Sequence, residues 1–469
     1  MRKTDYINEK LNEFKQYIKD KKVAVIGVGI SNTPLIKYLI NLGVDVTAFD
    51  KQTPDRLGQI YSELKDIGVH FSLGDGYLES LTGYELIFKT PGMRHDIPEL
   101  IKARKEKASI TSEMEVFLDL CPAQVFGITG SDGKTTTTTL IYKMLLQEGY
   151  KCWLGGNIGT PLLSKTDQIM PEDKVMLELS SFQLQTISKS VDIAVITNIT
   201  PNHLDIHKSM EEYVDAKKNI YRYQKPGDTL VVNYDNQLTR EIGKEVSGNC
   251  IYFSRVSDIE GLIVKDNKIK VTMGNNTIDI LNTDEILLPG AHNIENYLAA
   301  VAAVHKMVGI ESIKHVARTF KGVEHRIELV RELNGVKFYN DSIASSPART
   351  IAGLNSFKQK VILIAGGYDK KIPYDVMGEA IIDNVKMLVV MGKTGSKIRD
   401  AYRDECSKRR MKPEMPVVEV QSLEEAVKIS YNRSIEGDII ILSPASASFD
   451  MFKNFEERGN TFKHIVNCL

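Results

Sequence analysis

The sequence predicts an α/β protein of three domains with mainly parallel sheets. Three observations carry that expectation. The chain has 469 residues, against a typical domain of about 150. Short apolar runs alternate with helical patterns, the order that builds a parallel sheet with covering helices. Two strand-to-helix turns, at 27–29 and 127–133, are rich in glycine. Apolar residues make up 42% and charged residues 26%, which argues against a disordered tail protein or a fibrous repeat.

The first strand is Val23-Ala24-Val25-Ile26. Gly27-Val28-Gly29-Ile30-Ser31-Asn32 follows, then a helical pattern with Leu35, Leu39 and Leu42 on one face, ended by Gly43. A second strand at 44–49 closes on Asp50. This is a βαβ unit with a glycine turn, so the first domain is expected to be Rossmann-like. Further strands are expected at 86–88, 124–128, 175–179 and 193–199. From 229 to 288 short β runs carry Asn, Asp and Gly turns, which reads as a small antiparallel insert in the central domain. A long Ala-rich helix is expected at 293–308. A last Rossmann-like block begins near 336, with strands at 361–367, 387–391 and 439–442. The boundaries fall near 112 and 322, giving domains 1–112, 113–322 and 323–469.

Lys and Arg number 60 and Asp and Glu 61, so the net charge is −1. A global basic field for nucleic acid or an anionic membrane is absent. Cys121, Cys152, Cys250, Cys406 and Cys468 are scattered and form no Cys-x-x-Cys pair. That argues against a disulfide framework or a zinc knuckle and for a reducing cytoplasm. The N-terminus is charged with no apolar run, so no signal peptide is expected. The longest apolar stretch, at 298–304, falls far short of the roughly 20 residues that span a bilayer.

The strongest motif is Gly127-Ile128-Thr129-Gly130-Ser131-Asp132-Gly133-Lys134-Thr135-Thr136. It follows a strand and opens a helix, as a phosphate loop must. The glycines let backbone N–H groups face phosphate, the helix N-terminus adds positive potential, and Lys134 reaches the β/γ oxygens. The Thr135 hydroxyl is placed for Mg²⁺. The central domain is therefore expected to be P-loop ATPase-like. Gly27-x-Gly29-x-x-Asn32 is a weaker signal, because a dinucleotide fingerprint takes Gly or Ala where Asn32 stands. A tight structural turn, a nucleotide-type site involving Asp50, and an NAD site all remain open for it. Glu178, in Glu178-Leu179-Ser180-Ser181-Phe182-Gln183, ends a strand beside the phosphate loop, which suits Mg²⁺. His203 lies in a polar cluster at 198–205 and reads as functional. Lys217, in Asp215-Ala216-Lys217-Lys218, reads by itself as a solvated helix charge.

Taken in order, the phosphate loop, Gly155-Gly156-Asn157-Ile158-Gly159, the Glu178 segment, the cluster at 198–205, and Gly290-Ala291-His292-Asn293 with Asn296 form a series. Glu324-His325-Arg326 with Glu328, and Asn340-Asp341-Ser342, continue it. The series resembles the Mur ligase family, the ATP-dependent amino-acid ligases of peptidoglycan synthesis. The C-terminal segments at 442–450 and 452–459 resemble its D-glutamate-adding branch. The resemblance covers essentially the whole chain.

It implies one domain each for the UDP of UDP-N-acetylmuramoyl-L-alanine, for ATP with two Mg²⁺, and for D-glutamate. Gly29, Ile30, Ser31 and Asp50 fall in the UDP region, with Thr90-Pro91-Gly92 as a second loop. Asn157, Ser180 and Gln183 would hold the sugar-peptide part. Gly130, Ser131, Asp132, Gly133, Lys134, Thr135, Thr136, His292, Asn293, Asn296, Arg326 and Asp341 match nucleotide positions. Thr135 and Glu178 match one magnesium site, His203 and Lys217 the other, where the family's lysine is carbamylated. That reverses the solvated reading of Lys217, since a carbamate offers oxygen ligands. Lys134, His203 and Lys217 are the catalytic candidates.

Lys370, Ser448 and Phe455 match the D-glutamate pocket. Asn202 stands where other members have Asp, and Ile343 where some D-glutamate enzymes have Lys, so Lys370 or Lys371 is left to carry the amino acid's carboxylate. The implied reaction passes through an acyl phosphate, with His203 or a substrate group as the base for the amine. A cytoplasmic monomer with small-molecule substrates is expected. The competing readings are a ligase for L-alanine, diaminopimelate or lysine, a folate polyglutamylating ligase, an NAD-dependent oxidoreductase and a non-catalytic nucleotide scaffold.

Overall fold

In the computed structural model the described residues are 6–29, 32–201, 207–246, 248–274, 276–369 and 373–469. The predicted site residues Ile30, Ser31, His203 and Lys370, with Lys371, lie outside them. The chain divides into two compact units, Met1–Glu285 with Ile294–Arg318 and Ile286–Asn293 with Thr319–Leu469. Among the described residues the first unit holds two sheets and the second unit one.

The first sheet contains β1 (Lys22–Ile26), β2 (Asp45–Asp50), β3 (His70–Leu73), β4 (Leu86–Phe88) and β5 (Ser109–Thr111), in the order β3-β2-β1-β4-β5. All its pairings are parallel. Val23, Ala24, Val25 and Ile26 are all buried, because helices cover both faces of a parallel sheet. The helix Asn32–Asn41 buries Leu35, Ile36 and Leu39. Strand order reverses between β1 and β4, so ligands are expected beyond their C-terminal ends.

The second sheet comprises β6 (Gln124–Thr129), β7 (Cys152–Gly156), β8 (Lys174–Glu178), β9 (Ile193–Ile196), β10 (Thr229–Asn233), β11 (Asn249–Ser254), β12 (Gly261–Lys265), β13 (Lys268–Met273) and β14 (Asn276–Asn282). Its order is β14-β13-β12-β11-β10-β9-β6-β8-β7. Among the described residues only β12–β13 and β13–β14 pair antiparallel in this sheet. The expected insert is therefore smaller than its turn residues suggested. β10 and β11 continue the parallel sheet instead. The polar residues between them start a crossover helix, Gln237–Glu245, whose N-cap Asn236 accepts from the Thr239 N–H.

One continuous core joins the first two sheets through Phe117, Leu120, Leu162 and Leu163. The helix Glu113–Leu120 and the 3₁₀ turn Leu163–Gln168 supply these residues.

The third sheet contains β15 (Glu328–Leu333), β16 (Val336–Asn340), β17 (Val361–Gly366), β18 (Val385–Met391), β19 (Val417–Glu419) and β20 (Ile439–Leu442), ordered β15-β16-β20-β17-β18-β19. Among the described residues only β15–β16 of the named strand pairs in this sheet is antiparallel. Apolar clusters fill both faces, with Leu363 and Ile441 in one and Ile362 and Ile440 in the other. Among the described residues no helix is long and apolar enough to cross a membrane.

Candidate active site

The phosphate loop leaves β6 at the centre of the second sheet and enters the helix Lys134–Gln147. Gly130 has φ +150° and Gly133 φ +78°. A Cβ on Gly130 would strike the Thr197 hydroxyl, and one on Gly133 the Asn296 side chain. Both turns therefore require glycine. The loop rests on the segment after β9. Ser131 N–H donates to Asn198 O and Asp132 N–H to Asn198 Oδ1, both at 2.9 Å. Ser131 Oγ donates to Thr200 O and accepts from Thr200 N–H. Lys134 Nζ donates to the carbonyls of Gly130 and Ser131 at 3.0 Å, which holds the ammonium over its own loop. Thr135 and Thr136 are buried in the first helical turn. Thr137 Oγ1 donates to Asn296 Oδ1 at 3.3 Å.

Two buried ionisable groups converge on this loop. Glu178 ends β8, where Ile128 of β6 is its register partner. Its Oε1 accepts from Asn157 Nδ2 at 2.9 Å. Its Oε2 is buried and has no hydrogen-bond partner. Lys217 lies in the last turn of the helix Met210–Lys218 and is 1% exposed. Its Nζ donates to Gly130 O at 2.9 Å and Thr129 Oγ1 at 3.2 Å, and sits 4.6 Å from the Tyr213 ring centre. Burial, reinforced by Lys134, holds its amine well below the usual lysine range. The solvated reading of this lysine fails, because its helix face packs on the loop.

In the first sheet Asp50 spends both oxygens on backbone. Oδ2 accepts from Val28 N–H at 2.6 Å and Oδ1 from Gln52 N–H at 2.8 Å. Asn32 donates to Ile26 O at 2.9 Å, which explains an amide at the third fingerprint position. Gly27 lies against Thr90, so the loops carrying Gly29 and Thr90-Pro91-Gly92 leave neighbouring strands at the reversal point, where a ligand crevice is expected. Ser180 and Gln183 hold each other as the capping box of Ser181–Leu184.

In the second unit Asp341 follows β16. Its Oδ2 accepts from Ser443 Oγ at 2.7 Å and its Oδ1 from Ile327 N–H at 3.3 Å. Burial pushes its carboxyl up to about 7. Arg326 is flanked by His325 and Ile327, both at positive φ. A β-branched residue there is strained. Asn293 is buried and donates to Pro289 O at 2.7 Å, while His292 is exposed. Ser448 is buried, and the Phe455 carbonyl accepts from Ser342 Oγ at 2.8 Å.

Three family models match consecutive parts of the chain. They are the Mur ligase MurD-like N-terminal domain (residues 21–112), the Mur ligase middle domain (128–304) and the Mur ligase glutamate ligase domain (325–446). The chain is 60% identical over 464 residues to the UDP-N-acetylmuramoylalanine–D-glutamate ligase of Acetivibrio thermocellus, covering 99% of this chain and 100% of that protein. It is 57% identical to the same-named protein of Ruminiclostridium cellulolyticum, with the same coverage. The chain belongs to the Mur ligase family. The fold also matches the UDP-N-acetylmuramate–alanine ligase of Thermotoga maritima, with TM-score 0.58 and 20% identity over 96% of this chain and 99% of that one.

Within this Mur ligase the structure brings Gly130–Thr136, Glu178, Lys217 and Asn296 together in the first unit. His292, Asn293, Arg326, Asp341, Ser448 and Phe455 belong to the second. Among the described residues no group of three or more His, Cys, Asp or Glu could by itself hold a metal. A single buried carboxylate with an unpartnered oxygen does suit Mg²⁺, which takes one or two carboxylates and fills its shell with phosphate and water.

Sequence reasoning missed two supports. Tyr213 Oη shares a 3.0 Å hydrogen bond with Ser131 Oγ. Arg458 is fully buried. It donates to Ser342 Oγ and O, Ser446 O and Ala447 O at 2.8–3.2 Å, all neutral acceptors. It thereby ties the loop after β16 to the one carrying Ser448. The only sequence signal was its place inside the segment 452–459.

Proposed function

We propose that this chain is the ATP-dependent ligase that joins D-glutamate to UDP-N-acetylmuramoyl-L-alanine, one step of peptidoglycan precursor synthesis. The observation that carries the proposal is full-length identity of 60% to a protein of that name, on a chain whose phosphate loop, Glu178 and Lys217 converge at one sheet end. The finer assignment gives UDP to 1–112, ATP to 113–322 and D-glutamate to 323–469.

The residue roles follow from the chemistry. The substrate's L-alanyl carboxylate attacks the γ-phosphorus of ATP, forming an acyl phosphate and releasing ADP. The D-glutamate amine, as free base, then attacks the acyl carbon, phosphate leaves, and the amine's proton passes to a base. His203 is one candidate base. Carboxylate and triphosphate repel; with the Ser131 and Asp132 N–H groups spent on Asn198, the N-terminus of the helix Lys134–Gln147 and the Lys134 ammonium would supply positive potential at the phosphates. Thr135 and Glu178 would hold one Mg²⁺, and His203 and Lys217 another. Bound there, Mg²⁺ would neutralise phosphate oxygens and orient the triphosphate.

Lys217 suits carbamylation. Burial favours the neutral amine, the form that attacks CO₂, forming an N–C bond and releasing a proton, and the product carries oxygen donors. Lys370 or Lys371, Ser448 and Phe455 would line the amino-acid pocket. The test is phosphate release from ATP with UDP-N-acetylmuramoyl-L-alanine and, separately, D-glutamate, L-alanine, diaminopimelate or lysine. D-glutamate-dependent release that disappears in Lys134→Ala is expected. No D-glutamate-dependent release overturns the proposal.

A further inference from the structure

A charged network lies outside the groups assigned above and joins the first sheet to the Lys217 helix. The loop after β4 is hydrogen-bonded at its base. Lys89 N–H donates to Thr111 O at 2.9 Å, and the buried Lys89 Nζ donates to Met93 O at 3.2 Å. Beyond Thr90-Pro91-Gly92 the loop presents Arg94. Its Nε and Nη2 grip Asp96 as a fork at 2.8 and 2.9 Å, and Nη2 also reaches Glu212 Oε1 at 3.2 Å. Asp96 takes Lys208 Nζ at 2.8 Å, and Glu212 Oε1 takes Gln185 Nε2 at 2.8 Å.

Glu212 is in the first turn of the helix Met210–Lys218. There its Oε2 accepts from Lys208 N–H at 2.5 Å, and its own N–H donates to the N-cap Ser209. The next residue, Tyr213, bonds Ser131, and one turn further Lys217 bonds Gly130 O. One short helix is thus clamped at its start to the crevice loop of the first sheet and along its length to the phosphate loop of the second.

We propose that Arg94, Asp96 and Glu212 are positioning residues that couple the two sites, so that UDP-substrate in the crevice seats the Lys217 helix and tightens ATP binding. The inference rests on the substrate assignment proposed above. Isolated surface ion pairs contribute little. Here, however, one guanidinium engages two carboxylates, each of which is held by a further donor, so the geometry is fixed at both ends. By linkage, the effect must be reciprocal.

The test is the affinity for a non-hydrolysable ATP analogue with Mg²⁺, measured with and without saturating UDP-N-acetylmuramoyl-L-alanine. Wild type is expected to show about fivefold to tenfold tightening, an ordinary coupling size. Arg94→Ala and Glu212→Gln are expected to bring the ratio below about twofold while analogue affinity alone stays near wild type; Arg94→Lys falls between. A wild-type ratio of one, or a ratio unchanged in both variants, overturns the coupling. Wild-type D-glutamate-dependent phosphate release is read in parallel. Turnover with unchanged ratios sinks only the coupling, whereas absent turnover sinks the substrate assignment.

Discussion

Glu178→Gln should stabilise the protein without metal and cripple it with metal. Glu178 is 2% exposed, and its Oε2 meets no hydrogen-bond partner. An unsatisfied buried polar atom costs about 1–3 kcal/mol, more when charged. Glutamine keeps the volume and the acceptor for Asn157 Nδ2, and replaces the unpartnered carboxylate oxygen with a neutral amide. The amide also lacks a partner, so the net gain is about 1–2 kcal/mol. In a domain of this size each kcal/mol moves Tm by about 2–4 °C. The metal-free variant should therefore melt about 2–8 °C above wild type.

With saturating MgATP the order should reverse. Wild type gains about 2.7 kcal/mol at a hundredfold excess over Kd, and the variant gains far less. Phosphate release should fall at least about a hundredfold, as when one transition-state contact is lost. Scanning calorimetry with and without MgATP reads both effects. A lower Tm in the metal-free variant, or equal stabilisation by MgATP, would refute the assignment of Glu178 as a ligand held unpartnered for a cation.

Lys217→Ala should lose D-glutamate-dependent phosphate release and recover part of it when short carboxylates are added, because they can replace the carbamate oxygens; a wild-type rate removes Lys217 from the site. Glu113→Gln reports on the joint between the first two sheets. The Glu113 side chain accepts from Leu163 N–H at 2.9 Å, and burial pushes its carboxyl from 4.5 up to about 7. The folded state then binds the proton more tightly than the unfolded state, so this group's contribution is full below about pH 4.5 and is lost as pH rises through about 7. Urea midpoints should show the variant gaining on wild type from pH 5 to pH 8, by up to about 3 kcal/mol. A difference independent of pH would rule this out.

The phosphate loop was legible because its determinants are contiguous: strand, two glycines, Lys134, then a run of threonines. The β1 turn was half legible. Gly27 and Gly29 marked the bend, but Asn32 looked like a defect until its amide was seen capping β1 through Ile26 O. Lys217 was illegible from its own neighbours, because Asp215, Ala216 and Lys218 do not say which helix face packs on the loop. Only the resemblance of the whole motif series corrected that. β10 and β11 were read as part of an antiparallel insert because turn-forming Asn and Asp residues surround them. One of those residues, Asn236, is a helix cap, and a cap and a turn use the same residue types. Arg458 was missed because its partners lie up to 116 residues away.

The electrostatics of the site argue that these groups are not arranged for the stability of the empty protein. A carboxylate and an amine, both buried beside the phosphate loop, would gain from pairing with each other. Instead, Glu178 leaves an oxygen without a partner, and Lys217 spends its amine on a carbonyl and a hydroxyl. In the second unit Arg458 is a buried cation that bonds only neutral oxygens, and burial lowers it to about 10. Each arrangement costs stability that a packed apolar core would not. Such costs persist where function requires them. The chain's net charge of −1 therefore says little about its ligands. Every proposed substrate is anionic, and the compensating charge proposed for it is local, in Lys134 and the helix N-terminus behind it, with the unpartnered Glu178 oxygen proposed as a Mg²⁺ ligand.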